Sequence, residues 1–241
     1  MDIVKADAIM TVYLQKKTRG RRQVQMQLVR QYDIYMSLGS VHRYMSIFGI
    51  QSIRKRKYMP QKKITQSSPR TFSNILEQNF KTNGICKKWL TDITYLPAKD
   101  GVLYLSCIKD LGDKSIIAYS MSNKCTQQLV MKTLEQAENK MRKGLLLHSD
   151  QGAHYCSPKY QSYLKKHEVT GSMSRKATPY DNAPMESFFS LLKNEELKLY
   201  RGLTMEQLRK HVERFINYYN NERPQWGLNK MTPAEYRNHF V

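Results

Sequence analysis

The sequence predicts an α/β protein: a mixed five-stranded sheet in the order β-β-β-α-β-α-β-α, with a helical module before it and a helical tail after it. Three observations carry that expectation. Residues alternate with a period of two over 88–96 and open a run of three strands. Later apolar runs alternate with segments of helical period, the mark of parallel additions to an antiparallel meander. The first and last stretches show apolar spacing of three and four only. The expected domains are a basic helical module over 1–57, a linker over 58–84, the sheet-bearing core over 85–200 and a helical extension over 201–241.

The elements follow in order. Residues 7–17 and 21–32 read as short helices through Ile9/Tyr13 and Val24/Leu28. A third helix places Val41, Met45 and Phe48 on one side and stops at Gly49. Three such helices with His42 and Arg43 facing outward suit a helix-turn-helix, and equally any small helical cap. The run Arg54-Lys55-Arg56-Lys57 is a phosphate clamp or a solvated face. Proline and Ser/Thr enrichment over 58–74 marks the linker. In the core, strands are expected over 88–96, 102–109 and 115–120, with a tight turn at Asp110-Leu111-Gly112-Asp113. A helix over 126–141 leads to a buried strand from Leu145 to Asp150. Ser157-Pro158 supplies an N-cap and a proline at the first helical position. A short fifth strand over 169–173 and a helix over 183–199 close the core. In the tail, Thr204/Gln207 and Thr232/Glu235 are capping boxes, the second with Pro233 in its first turn. Tyr218 and Tyr219 are expected in the core.

The 40 Lys+Arg against 20 Asp+Glu give a net charge of +20, which points to a polyanion: nucleic acid, ribosome or an anionic membrane surface. The charge is uneven. Residues 1–85 hold 16 Lys+Arg and 4 Asp+Glu, so the first third of the chain carries more than half of the excess. No window approaches the ~18 apolar residues of a membrane span, and the N-terminus does not read as a secretory signal. Cys86, Cys107, Cys125 and Cys156 form no C-x-x-C pair, so the expectation is four reduced thiols in a cytoplasmic protein.

Three acids stand out. Asp92 lies mid-strand among Trp, Ile, Tyr and Leu; Asp150 ends an apolar strand before a glycine; Glu186 begins a helix between Met185 and Phe188. A lone carboxylate in such settings is costly unless it is paired, hydrogen-bonded or metal-bound. If the three meet, they form an all-oxygen site for Mg²⁺ or Mn²⁺. The alternatives are local: a strand Asp bonded to neighbouring backbone, and a Glu capping its helix. Lys193, seven residues after Glu186, returns to nearly the same helix face and is placed to hold a phosphate. Arg175 and Lys176 precede that helix in a loop that either tracks DNA or is solvated.

The blocks Trp89-Leu90-Thr91-Asp92-Ile93-Thr94-Tyr95, His148-Ser149-Asp150-Gln151-Gly152 and Tyr180-Asp181-Asn182-Ala183-Pro184-Met185-Glu186-Ser187-Phe188-Phe189 resemble the DDE transposases of bacterial insertion sequences, in the IS-three branch similar to retroviral integrases. Thirty-five residues lie between Asp150 and Glu186, as in that family, and Lys193 falls at its basic position. Tyr218-Tyr219-Asn220-Asn221 with Arg223-Pro224, then Thr232-Pro233 and Tyr236, look like its C-terminal signature. The likeness is strong over roughly 70–241 and weak before it. Ala177-Thr178-Pro179 and Gln225-Trp226-Gly227 depart from the usual pattern.

The resemblance implies an RNase H-like fold in which Asp92, Asp150 and Glu186 bind two divalent ions, Mg²⁺ or Mn²⁺. It implies cleavage at the element's ends and transfer of the 3′-hydroxyl to a second phosphodiester. DNA contacts would fall to Lys193, Arg175, Lys176, Arg43 and the run Arg54, Lys55, Arg56 and Lys57. Expected partners are double-stranded DNA, the upstream-frame protein to which such chains are fused by frameshifting, and further copies of the chain on DNA, with no membrane. The competing readings are a nuclease that hydrolyses without joining and a non-catalytic DNA-binding repressor.

Overall fold

The computed structural model describes residues 2–53, 71–175 and 178–240. The first three helices are α1 (Ile3–Gln15), α2 (Arg21–Tyr32) and α3 (Leu38–Ile47). The first begins earlier than the apolar spacing suggests, because Asp2 caps it by accepting from the Lys5 N–H. Ile9, Val12, Val24, Leu28, Val41 and Met45 bury one another in a small core of their own. Gly49, at φ +62°, ends α3 as expected.

Five strands follow in a single sheet: β1 (Lys88–Ala98), β2 (Gly101–Asp110), β3 (Ile116–Ser122), β4 (Leu146–Ser149) and β5 (Thr170–Met173). Their spatial order is β3-β2-β1-β4-β5. The first three form the antiparallel meander, and β4 and β5 add in parallel beside β1. This is the mixed sheet that the alternation predicts. Between β2 and β3 the tight turn forms, and Gly112 is required there. A Cβ at Gly112 would lie 2.4 Å from the Gly84 carbonyl oxygen.

Side-chain alternation divides the core into two layers. One face of the sheet (Leu90, Leu96, Leu103, Leu105, Cys107) packs on α6 (Ala183–Glu195) and α7 (Met205–Asn221). The other face (Trp89, Ile108, Leu147) packs on α4 (Gln127–Ala137) and α5 (Pro158–Lys166). Two helices are shorter than their periodicity: α4 ends in a 3₁₀ turn at Glu138–Lys140, and α6 is followed by another at Leu197–Leu199. Both expected capping boxes are present, at Thr204/Gln207 and at Thr232/Glu235, where α8 (Pro233–Asn238) begins.

The expected linker is described from Thr71 onward, and there it is packed. The Ile75 and Leu76 N–H groups donate to the Ser172 hydroxyl on β5, and Leu76 is buried in the core. Tyr218 and Tyr219 are core residues, Tyr219 edge-on to Phe188 at 4.9 Å between centroids. Asn220 pairs with both the N–H and the carbonyl of Ile116. Arg223 forks onto Glu195 at 2.9 and 3.0 Å. Much of the C-terminal signature therefore ties α7 and its exit to β3 and α6. The helical module docks on that exit: Gln23 donates to the Pro224 carbonyl, Gln27 to that of Glu222, and Arg30 pairs with Glu235.

None of the four cysteines, all among the described residues, forms a disulfide. Among the described residues, no helix is long and apolar enough to cross a membrane.

Candidate active site

Two of the three acids are set by sheet register. In the parallel β1–β4 pair, Leu90 stands opposite His148. Two residues further along each chain come Asp92, in β1, and Asp150, one residue past the end of β4, so the two aspartates come at about the same level. Leu90 and Asp92 share a face, the one covered by α6. An independent sign of this closeness comes from Tyr155. Its buried hydroxyl is pushed well above its ordinary pKa, first by burial and then by the negative charges of both Asp92 and Asp150.

Both aspartates are partly fixed by local backbone. Asp92 Oδ1 accepts from the Ile93 N–H at 2.8 Å, and Asp150 Oδ1 accepts from the Gly152 N–H at 2.9 Å. A Cβ at Gly152 would stand 2.8 Å from Asp150 Oδ1, so the glycine leaves room for that carboxylate.

Glu186 is brought over this face by α6. It sits exposed in the helix's first turn, where the dipole favours an acid. Two tethers hold that end of the helix above β1 and β2. Asn182 Nδ2 donates to the Thr91 carbonyl, next to Asp92, at 3.4 Å. The buried Lys109 on β2 reaches the Pro184 carbonyl at 3.1 Å. Two turns beyond Glu186, Lys193 lies with its Nζ 5.3 Å from the ring of Tyr95, three residues past Asp92. Among the described residues, no three His, Cys, Asp or Glu side chains are gathered closely enough to hold a metal ion as they stand. The three acids share a face without closing on one point. The donor set suits a hard divalent cation: oxygen only, with two of the three carboxylates based on a rigid sheet.

The loop before α6 is organised by Asp181, whose role the sequence does not reveal. Its fully buried carboxylate accepts from the Arg175 N–H (2.8 Å), the Arg175 guanidinium (3.0 and 3.2 Å), Asn74 (3.0 Å) and Gln78 (2.8 Å). Burial alone would raise its pKa. The Arg175 and Gln78 side chains and the Arg175 N–H outweigh that and hold it at about 2. Arg175 is thus engaged with Asp181 while remaining 61% exposed. The only cue in the sequence is an acid within the block that leads to Glu186.

His148 is buried between Ser172 (2.9 Å) and Ser174 (3.0 Å), a strand-end residue beside the aspartates. Burial brings its pKa down to about 4, against the pull of Asp181 and Asp150. Asp110, the last residue of β2, stands away from the three acids. Because β2 runs antiparallel, Asp110 pairs with Trp89 on the opposite face. There it accepts from the Cys86 and Gly112 N–H groups and binds Arg237. His154 contacts the Cys125 thiol at 3.3 Å. Arg43 is exposed on α3. Arg54, Lys55, Arg56, Lys57 and Lys176 lie outside the described residues.

Comparison with known proteins bears on the fold and the family. Two Integrase core domain families match residues 84–179 and 167–233, and an HTH-like domain matches residues 2–58. The transposase for insertion sequence element IS904 of Lactococcus lactis is 36% identical over 83% of this chain and 78% of its own length. The putative transposase InsK for IS150 of Escherichia coli is 34% identical over 95% of this chain and 81% of its own length. The transposase InsF for IS3A of the same species is 36% identical over 79% and 67%. Among solved structures, the HTLV-2 integrase catalytic core domain superposes with a TM-score of 0.54 at 16% identity, covering 65% of this chain and 99% of that one. A simian T-cell lymphotropic virus intasome chain gives 0.58 at 14% identity, covering 88% and 70%. These two establish an RNase H-like, integrase-type fold, one whose catalytic members generally use divalent metal ions. With relatives this similar over most of their own length, the chain belongs to the IS3-family insertion-sequence transposases, DDE polynucleotidyl transferases that cleave DNA and transfer its strands.

Proposed function

We propose that Asp92, Asp150 and Glu186 are the catalytic acids of this transposase and hold two divalent cations, Mg²⁺ or Mn²⁺, against a terminal phosphodiester. The observation that carries this reading is the shared level of Asp92 and Asp150 beneath the tethered first turn of α6. Cations bound by these oxygens supply charge neutralisation at the attacked phosphate and activation of the attacking hydroxyl. The protein's part is placement. The β1–β4 register fixes two carboxylates, Asn182 and Lys109 steady the helix that carries the third, and Lys193 steers a backbone phosphate toward them. Carboxylates brought together repel one another unless neutralised, so bound cations would favour a closer approach of Glu186 to the pair.

DNA is proposed to run over Lys193, Arg175 and Lys176, with Arg43 and the stretch Arg54, Lys55, Arg56 and Lys57 holding the element's end. The chain is proposed to act in the bacterial cytoplasm, at the nucleoid, with an upstream-frame protein and further copies of itself.

One assay decides among the readings: purified chain, a labelled duplex bearing the element's terminal repeat, and Mg²⁺. Joined product is expected from the wild type. Glu186→Gln should abolish chemistry and retain the DNA. Nicking without joining would favour a nuclease, and binding without either a repressor. Normal joining by Glu186→Gln would overturn the site assignment.

A further inference from the structure

Gln225 and Trp226 help form a cavity that none of the three acids lines. It has a volume of about 370 Å³ and lies between the start of α2 and the turn after α7, lined in part by Arg21, Arg22, Gln23, Gln225 and Trp226. That volume falls within the ~300–1,000 Å³ of ligand pockets. Three features of its lining point to one kind of occupant.

The first is aromatic. Trp226 is 45% exposed, an unusual state for so large an apolar side chain. The second is a pair of unmet hydrogen-bonding groups. Gln23 is 93% buried; its Nε2 donates to the Pro224 carbonyl, while its Oε1 has no partner. Gln225 Nε2 is likewise buried without a partner. The two lining residues therefore carry one unmet acceptor and one unmet donor just beneath the surface of the cavity, the two functions that a nucleobase edge answers. The third is charge. Arg21 and Arg22 open α2 behind Gly20, which offers no side-chain cap, so the first-turn N–H groups add to the positive end of the helix. The Arg22 guanidinium and Lys230 Nζ stand over the indole at 5.5 and 5.6 Å from its centroid, within the ~6 Å of a cation–π contact, so a base reaches the ring by displacing one of them.

We propose that this cavity receives one unstacked nucleotide of a bound DNA strand. The base lies against Trp226, a turn of the Gln23 and Gln225 amides brings their unmet atoms to its edge, and its phosphate is held by Arg21 and by Arg22 as it leaves the indole. The site rests on the reading that this chain binds DNA and adds a place for an unpaired base. It stands where the helical module meets the C-terminal tail, so occupancy engages both.

The full chain carries its own reporter. The only other tryptophan, Trp89, is fully buried, so emission changes on adding strand report Trp226. A short oligothymidylate should quench that emission and bind at least about tenfold more tightly than an abasic strand of equal length. By anisotropy of a labelled strand, Trp226→Ala should erase this preference and leave affinity for fully paired duplex unchanged. Trp226→Phe, which keeps a ring, should retain part of it, and Gln23→Leu should weaken it. Equal affinity for base-bearing and abasic strands overturns the proposal, as does a Trp226→Ala chain that keeps the preference. Thymidine monophosphate binding as tightly as the strand would overturn the assignment to a strand. Duplex binding is read in parallel. A chain that binds duplex without preferring bases refutes this pocket alone, whereas one that binds neither refutes the DNA-binding reading with it.

Discussion

The Ser172 Oγ and the His148 Nδ1 lie 2.9 Å apart, and the proton between them belongs to the serine. Both lone pairs of that hydroxyl are taken by the Ile75 and Leu76 N–H groups, so its own hydrogen is left to donate. Nδ1 must therefore be bare and Nε2 must carry the hydrogen, which it donates to Ser174 at 3.0 Å. A second proton on this ring would face an oxygen with nothing left to give it.

Acid should consequently loosen the fold through His148. The unfolded chain takes up this proton below about pH 6.5, the folded chain only below about pH 4. The stabilisation is complete above 6.5, falls as pH drops and levels off below 4, a loss of about 3 kcal/mol at 1.36 kcal/mol per unit. Asp181, held at about 2 against an ordinary 3.8, adds a further loss between those two values. Urea unfolding against pH should show this slope, and His148→Asn should be weaker at neutral pH and flatter from 6.5 to 4. An unchanged slope would count against the bare Nδ1.

Gly152→Ala should damage activity far more than stability. The added methyl stands 2.8 Å from Asp150 Oδ1, so the carboxylate must move. Displacements of about 1 Å cost roughly a hundredfold in rate. Strand joining should fall by that order while the thermal midpoint shifts little; normal joining would show that Asp150 tolerates the shift.

The Glu195–Arg223 pair should behave as a buried ion pair. Both side chains are nearly inaccessible, at 3% and 6%. Arg223→Ala leaves a buried carboxylate without its fork and should cost about 3–5 kcal/mol in chemical denaturation. Adding Glu195→Leu should restore much of that loss. Additive losses in the double variant would show that the two do not act as a unit.

Lys193→Ala should lower affinity for the element's end and reduce the slope of log affinity against log salt by about 0.9, one phosphate contact. A parallel line of equal slope would place Lys193 on a solvated face.

Local physics made most of this molecule legible. Period-two alternation located β1, and the capping boxes at Thr204 and Thr232 marked two helix starts, because both signals lie within a few residues. Asp92 and Asp150 stood out for the same reason, as acids in apolar strands. Asp110 did not: its fate depends on Arg237, 127 residues away, and on the direction of β2. Asp181 and Lys109 escaped notice too, since their partners come from Asn74, Gln78 and the backbone at Pro184. Long-range polar pairing has no period to read.

The clasp of α2 on the exit from α7 also has a direction in time. Gln23, Gln27 and Arg30 are made about 200 residues before their partners Pro224, Glu222 and Glu235. At about 5–20 residues per second, some 10–40 s of translation separate them. Through that interval the basic module waits with its seat not yet made, and the clasp can form only once the exit from α7 has followed it.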